Sequence, residues 1–393
     1  MSMKEFESAL KDLEGRGLLR KLICLDSSHG SKVIIDGEPF INFASNDYLN
    51  LSCRPEIINA LADAVRVYGF GSGSSRLLSG TYLPHKRLED RIARFKGTEA
   101  ALLFNTGYAA NTGIIPAITN SDSVIFSDEL NHASIIDGIR LSKAEVKIYR
   151  HKDIGHLESL LSASAAGSKI RKRLIVTDSV FSMDGDIAPL KDISYLSKQY
   201  EALLMVDDAH ATGVLGKNGK GGLEYFGIDN DEIIQMGTLS KALGCFGAFV
   251  AGPQELIDYL INTARSFIFS TSLPPAIAEA AITAIDIVAS DSGDLRARLL
   301  NNSDRLRKGL EGIGFKLLGS ETPIIPILTG EIKDTLEISA ELYKNKILAL
   351  PVRPPTVPEG RCRIRFSVTA GHDEGDIVNL IKILGEIRNK AGL

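Results

Sequence analysis

Cysteine is scarce in this chain. The four present, Cys24, Cys53, Cys245 and Cys362, stand far apart and form no CxxC pair, a usage that fits a reducing cytoplasm and argues against a structural zinc site. No run of 18 apolar residues occurs and no charged-then-apolar leader opens the sequence, so neither a membrane span nor a signal peptide is expected. An excess of either charge is also missing. Lys and Arg number 45 against 49 Asp and Glu, for a formal net charge of −4 without a basic block, and no nucleic-acid surface is expected. Tryptophan is absent, which carries no inference, and there is neither an internal repeat nor a low-complexity tract.

Two nucleotide fingerprints are missing as well. The glycine-rich stretch GFGSGSSRLLSG (69–80) is not GxGxxG, because Arg76 takes the place of the third glycine after Gly71 and Gly73. It also follows a helical pattern and not a strand, which disfavours a nicotinamide site. GxxxxGK[ST] does not occur. HKDIGH (151–156) has two histidines, but Lys152 beside them and the lack of nearby cysteine speak against a metal pair, and no metal is expected.

What is present is a 393-residue chain with 44% apolar and 24% charged residues, a globular composition long enough for more than one core. Phe6, Leu10 and Leu13 recur at helical spacing and predict an amphipathic helix that packs on something else. KVIIDG and FINFAS read as a hairpin, and a helix with Pro55 in its first turn follows to about Tyr68. From residue 84 helical stretches alternate with short apolar runs. ALLF, SVIFSD, EVKIY, RLIVTD, ALLMVDD and IIQMG are strand candidates, a pattern that predicts an α/β fold with a mostly parallel sheet covered on both faces. PPAIAEAAITAIDIVAS begins a long helix leading to a smaller α+β unit, with PIIPIL, ILALP and RCRIRFSV as strands and a last helix from about Glu374. The expected division is an N-terminal helix and hairpin over 1–50, a large domain over 51–285 and a small C-terminal domain over 286–393.

The chemistry concentrates at two strand ends. LLMVDDAHATG closes a buried strand on Asp207 and Asp208, with His210 just beyond, and IIQMG runs directly into TLSKALG. Asp207 and Lys241 therefore lie past the ends of two strands, at the sheet edge where ligands bind. Lys241 stands among Thr238, Ser240, Ala242 and Gly244, a small-residue shell that suits a lysine required to lose its charge or bond covalently. A carboxylate and a lysine so placed suit pyridoxal phosphate: its aldehyde takes a lysine amine and its ring nitrogen stays protonated against an acid. NTGYAAN puts Gly107 and Tyr108 at a helix entry that attracts a phosphate. NHASIID supplies His132, which could lie flat on the ring.

Together GSGSSRLLSG, NTGYAAN, DELNHASIIDG, VFSMDGD, VDDAHATG, TLSKALG and FSTSLPP, in that order, resemble the α-oxoamine synthases, fold-type I pyridoxal-phosphate enzymes, over nearly the whole chain. The resemblance implies Lys241 as the Schiff-base lysine, Asp207 as partner of the ring nitrogen, His210 as donor to the ring's phenolic oxygen and His132 as the stacking residue. It implies Ser182, Gly107, Tyr108, Thr238 and Ser240 as cofactor contacts, and Thr271 as a phosphate contact given by the partner subunit of a homodimer. Asn46 and Arg365 resemble holders of the amino-acid carboxylate, and Arg20, Thr356 and His132 match positions assigned to the substrate. RPPTVPEG (353–360) and SRLLSG resemble the branch that condenses L-alanine with a pimeloyl thioester, on CoA or acyl carrier protein, to 8-amino-7-oxononanoate for biotin. DELNHASIIDGIRLSKA and GTLSKALG are also close to the sister ligase that uses glycine and acetyl-CoA. A non-catalytic scaffold subunit would be expected to lack Lys241.

Overall fold

A computed structural model describes residues 3–165, 172–229 and 232–391. The chain divides into two compact units. One comprises Leu51–Ser182 and Ile187–Arg296, the other Met1–Asn50, Met183–Asp186 and Ala297–Leu393. Among the described residues no helix is long and apolar enough to cross a membrane.

Among the described residues thirteen strands carry the architecture: β1 (Lys32–Ile35), β2 (Glu38–Asn42), β3 (Ala100–Phe104), β4 (Ser123–Asp128), β5 (Glu145–Tyr149), β6 (Lys172–Asp178), β7 (Leu203–Asp207), β8 (Ile234–Thr238), β9 (Ala248–Gly252), β10 (Ile324–Gly330), β11 (Ile347–Leu348), β12 (Leu350–Val352) and β13 (Cys362–Ser367). The larger unit is built on a seven-stranded sheet in the order β3-β9-β8-β7-β6-β4-β5. Pairings from β8 through β7, β6 and β4 to β5 are parallel, and only β9 runs against its neighbours β3 and β8.

Side chains alternate across this sheet as the pleat requires. Ile125, Leu174, Val176 and Met205 join the core under the helices Gly107–Ile118 and Ala133–Ser142. Their neighbours Val124, Phe126, Ile175, Leu204 and Val206 join the opposite core, with Leu157, Leu161, Ile193 and Leu196 from the helices Ile154–Ala165 and Leu190–Gln199. Burial on both faces is why these strands read as unbroken apolar runs. The parallel strands β4, β6, β7 and β8 therefore end at one edge, with Asp128, Asp178, Asp207 and Thr238 as their last residues.

In the other unit, β10, β13 and β12 form an antiparallel sheet, and β11 extends the β1–β2 hairpin by pairing parallel to β2. Phe43, Ile325, Ile327, Ile364 and Phe366 share one core with Leu306, Leu310, Leu380 and Leu384. The hairpin over 32–42 is thus tied to residues 347–348, and 1–50 does not stand as a unit of its own. The short piece Met183–Asp186 is held here as well. Gly185 O accepts Thr322 Oγ1 at 2.8 Å and Glu321 N at 3.0 Å, and a Cβ at Gly185 would lie 2.1 Å from Ile324 O.

Two elements differ from the sequence reading. The helix Met3–Gly15 forms, but none of its residues is buried, and Phe6 and Leu10 are exposed; Met1 and Ser2 lie outside the described residues. The ILALP stretch is broken at Ala349 into β11 and β12, which serve different sheets.

Candidate active site

Asp207 ends β7 almost fully buried. Its carboxylate accepts Asn111 Nδ2 at 2.8 Å on one oxygen and the backbone N–H of Ala209 at 2.9 Å on the other. Burial pushes its pKa up, opposed by the Lys241 ammonium, these hydrogen bonds and His132. His132 caps the helix Ala133–Ser142. Its backbone N–H donates to Asp178 Oδ2 at 2.8 Å, which fixes it at the end of β6. Its ring is partly open to solvent, and desolvation lowers its pKa, with Asp207 opposing and Lys241 reinforcing. Desolvation likewise drives Asp178 well above the usual carboxylate range, and the charge on Asp207 adds to this. The structure therefore brings Asp207, Lys241, His132 and Asp178 into one electrostatic cluster. Lys241 is half-buried and follows the exposed Ser240, while His210 is buried in the turn after Asp207.

The adjacent acid has a separate fate. Asp208 Oδ2 accepts Lys96 Nζ at 2.7 Å, with both side chains essentially inaccessible, and Asp208 Oδ1 accepts Gly222 N at 3.0 Å. One residue of the pair faces the cluster and the next is bolted into the core.

The start of the helix Gly107–Ile118 lies against Thr238 at the end of β8. Thr106 caps the helix Gly107–Ile118 by accepting Ala109 N at 3.0 Å, and the first turn leaves N–H groups with the positive end of the helix dipole. A Cβ at Gly107 would lie 2.9 Å from Thr238 Cγ2, so this turn is kept bare. Tyr108 is exposed, and its hydroxyl donates to Asp137 Oδ2 at 2.5 Å. This set fits pyridoxal phosphate: an anion-attracting helix start with hydroxyls nearby, a buried carboxylate for a ring N–H, and a lysine amine in the same field. Ser182 is half-buried in the turn after β6. Thr271 is exposed, in a backbone bridge with Ser75, and its carbonyl accepts Asn105 Nδ2 at 2.6 Å. Among the described residues no three His, Cys, Asp or Glu side chains are grouped to hold a metal.

The other unit holds a cationic cluster. Arg365, on β13, is buried; its Nη2 donates to Asn46 Oδ1 at 2.8 Å and reaches the Tyr48 hydroxyl at 3.4 Å. Its Nε is buried and has no acceptor among the described residues. Burial pushes the Tyr48 phenol up to about 12, against the pull of Arg365, so Tyr48 stays neutral. Arg20 and Thr356 form a different grouping. Both are exposed; Arg20 Nη2 donates to Pro354 O at 3.3 Å, and Thr356 N donates to Arg353 O at 3.1 Å.

Asn111, Ser134, Asp178 and Tyr48 belong to these clusters and are not among the residues picked from the sequence. For Asp178 a signal exists: RLIVTD ends on an acid exactly as LLMVD does. For Asn111, on a helix, there is none.

Comparison with known proteins agrees with this geometry. Residues 38–384 match the family model of aminotransferase class I and II. The chain is 48% identical over 392 residues to the 8-amino-7-oxononanoate synthase of Geotalea daltonii, covering 100% of this chain and 99% of that one. It is 49% identical over 385 residues to the enzyme of the same name from Geobacter sulfurreducens, with 98% of each covered. The serine palmitoyltransferase of S. paucimobilis, solved with bound PLP, superposes with a TM-score of 0.92 at 29% identity, over 99% of this chain and 98% of that one. The chain belongs to the aminotransferase class I and II family and, within it, to the α-oxoamine synthases.

Proposed function

We propose that the protein condenses L-alanine with a pimeloyl thioester, with loss of CO2 and release of the thiol, to form 8-amino-7-oxononanoate. Full-length likeness to synthases of that name supports the substrates. The observation that carries the chemistry is the buried Asp207 carboxylate sharing one field with Lys241 at the sheet edge.

Bound pyridoxal phosphate supplies an electron sink for the pair left at the amino-acid Cα. Asp207 keeps the proton on the ring nitrogen, without which that sink is weak. Gly107, Tyr108, Thr238, Ser240, Ser182 and His210 hold the cofactor, and Lys241 Nζ is the amine that anchors it. With the amino acid in place, Lys241 Nζ would be the amine that takes the Cα proton. His132 would lie against the ring and donate toward the substrate. Arg365 and Asn46 receive the amino-acid carboxylate, the guanidinium offering its fork. Arg20 and Thr356 take the acyl part.

The active form is a homodimer in which Thr271 serves the neighbour's phosphate. Phe70, Leu78 and Phe269, exposed at 81%, 82% and 71%, lie in the segments that flank the Ser75–Thr271 bridge. Exposed apolar side chains in two bridged segments suit an association surface.

The test is product analysis by mass spectrometry with L-alanine or glycine against pimeloyl-CoA, pimeloyl-acyl carrier protein and acetyl-CoA. Preference for L-alanine with a pimeloyl thioester is expected. Preference for glycine with acetyl-CoA would place the chain with the sister ligase.

A further inference from the structure

His132 Nδ1 faces two groups of Ser134, its hydroxyl at 2.8 Å and its backbone N–H at 3.2 Å. The backbone N–H can only donate and so favours an accepting Nδ1, but at 3.2 Å it is the longer contact; the Ser134 hydroxyl at 2.8 Å decides the tautomer by whether it donates or accepts. The hydroxyl is constrained from its far side. Asn111 Nδ2 donates to Ser134 Oγ at 2.9 Å and to Asp207 Oδ2 at 2.8 Å. Turning the amide over would set its oxygen against a carboxylate, so the nitrogen belongs there. With Oγ accepting from Asn111, the Ser134 proton points to Nδ1. Asn111, Ser134 and Asp207 are all buried, so water does not compete for the two bonds that Asn111 donates. Asn111 Oδ1 has no partner among the described residues, which is the cost of aiming both amide protons into this chain.

We propose that Asn111 and Ser134 are positioning residues that hold His132 as the Nε2–H tautomer, through the hydrogen-bond sequence Asp207 ← Asn111 → Ser134 → His132 Nδ1. The ring then presents a donor and not a base on its open side, and proton removal at Cα falls to Lys241 alone. This assignment rests on the proposed place of His132 and Asp207 at the cofactor, but its test does not use turnover.

The experiment is long-range ¹H–¹⁵N correlation at pH 7 on the full chain labelled with ¹⁵N-histidine, with the His132 signals identified by their loss in His132→Asn. The parent should show Nδ1 unprotonated and Nε2 protonated. Ser134→Ala should give mixed tautomers, Ser134→Thr should restore the parent pattern, and Asn111→Ala, which frees the hydroxyl rotor, should fall between. A protonated Nδ1 in the parent, or a Ser134→Ala spectrum equal to the parent's, would overturn the proposal; an Asn111→Ala spectrum equal to the parent's would remove Asn111 from the chain. If the protein failed to make the amino ketone while these spectra came out as expected, the functional reading alone would fall.

Discussion

Replacing Arg365 by Ala tests the proposed carboxylate anchor. The guanidinium is 5% exposed, and one edge is already occupied by Asn46 and Tyr48. Its Nε lacks an acceptor, and leaving such a donor buried and unpaired costs about 1–3 kcal/mol. A carboxylate that met this side of the fork would remove that cost and gain hydrogen bonds to a charged group, about 1.5–3 kcal/mol each. Losing the fork should therefore weaken the amino acid's hold by about 3–4 kcal/mol, or two to three orders of magnitude at ~1.4 kcal/mol per factor of ten. Because the carboxylate binds before the chemistry, most of the loss belongs in KM. The assay is initial rate against L-alanine at saturating thioester, with circular dichroism to show that the fold persists. Arg365→Lys keeps the charge without the fork and should fall between. A KM for L-alanine within threefold of the parent's in Arg365→Ala would refute the reasoning.

Asp207→Asn keeps the shape and removes the charge, so turnover should drop below roughly a tenth, a barrier change of at least ~1.4 kcal/mol; activity above that level would sink the electron-sink role. Lys96→Met leaves Asp208 buried without its cation, and urea unfolding should register a loss of about 3–5 kcal/mol; a loss under about 1 kcal/mol would mean that Gly222 N–H and the turn suffice. His372 is buried, stacked on Phe43 at 4.2 Å, and accepts Thr369 N at 3.0 Å on Nδ1; burial lowers its pKa to about 4. Between pH 6.5 and 4 the unfolded ring binds a proton that the folded ring refuses, so stability should fall with pH by up to about 3 kcal/mol, and His372→Gln should flatten that limb. Mixing Lys241→Ala chains with Thr271→Ala chains should restore some activity, since a hybrid dimer with shared sites has one intact site; no recovery in proven hybrids would place each site within one chain.

That Asp207 and Lys241 share one sheet edge was legible because Asp207 closes one short apolar run and Lys241 follows another by a few residues, and a parallel sheet brings such positions together. That the sheet is mostly parallel was legible from the alternation of strands with helices. The strand β9 was not among the strand candidates at all; its antiparallel direction follows from a connection, 239–247, too short for a parallel crossover. Lys96 ends the helix Leu83–Lys96; its burial depends on Asp208, more than a hundred residues away in sequence, and local pattern holds nothing of that. Asn111 was hidden for a similar reason, as one amide among helix formers gives no periodic signal. The helix Met3–Gly15 shows the reverse failure. Its spacing was read correctly, but periodicity reports a face suited to burial and not whether anything covers it.

The held segment Met183–Asp186 bears on how this chain can be divided. It leaves the larger unit after Ser182 and returns at Ile187, and its grip on Thr322 and Glu321 uses residues far downstream. Arg363 Nη1 adds a bond to Asp184 Oδ1 from β13. A gene fragment covering 51–296 would carry this segment without any of those partners, and a fragment covering 297–393 would lack both it and the hairpin. No single recombination point separates the two units, so exchange of parts between relatives is expected to succeed only when 1–50, 183–186 and 297–393 travel together.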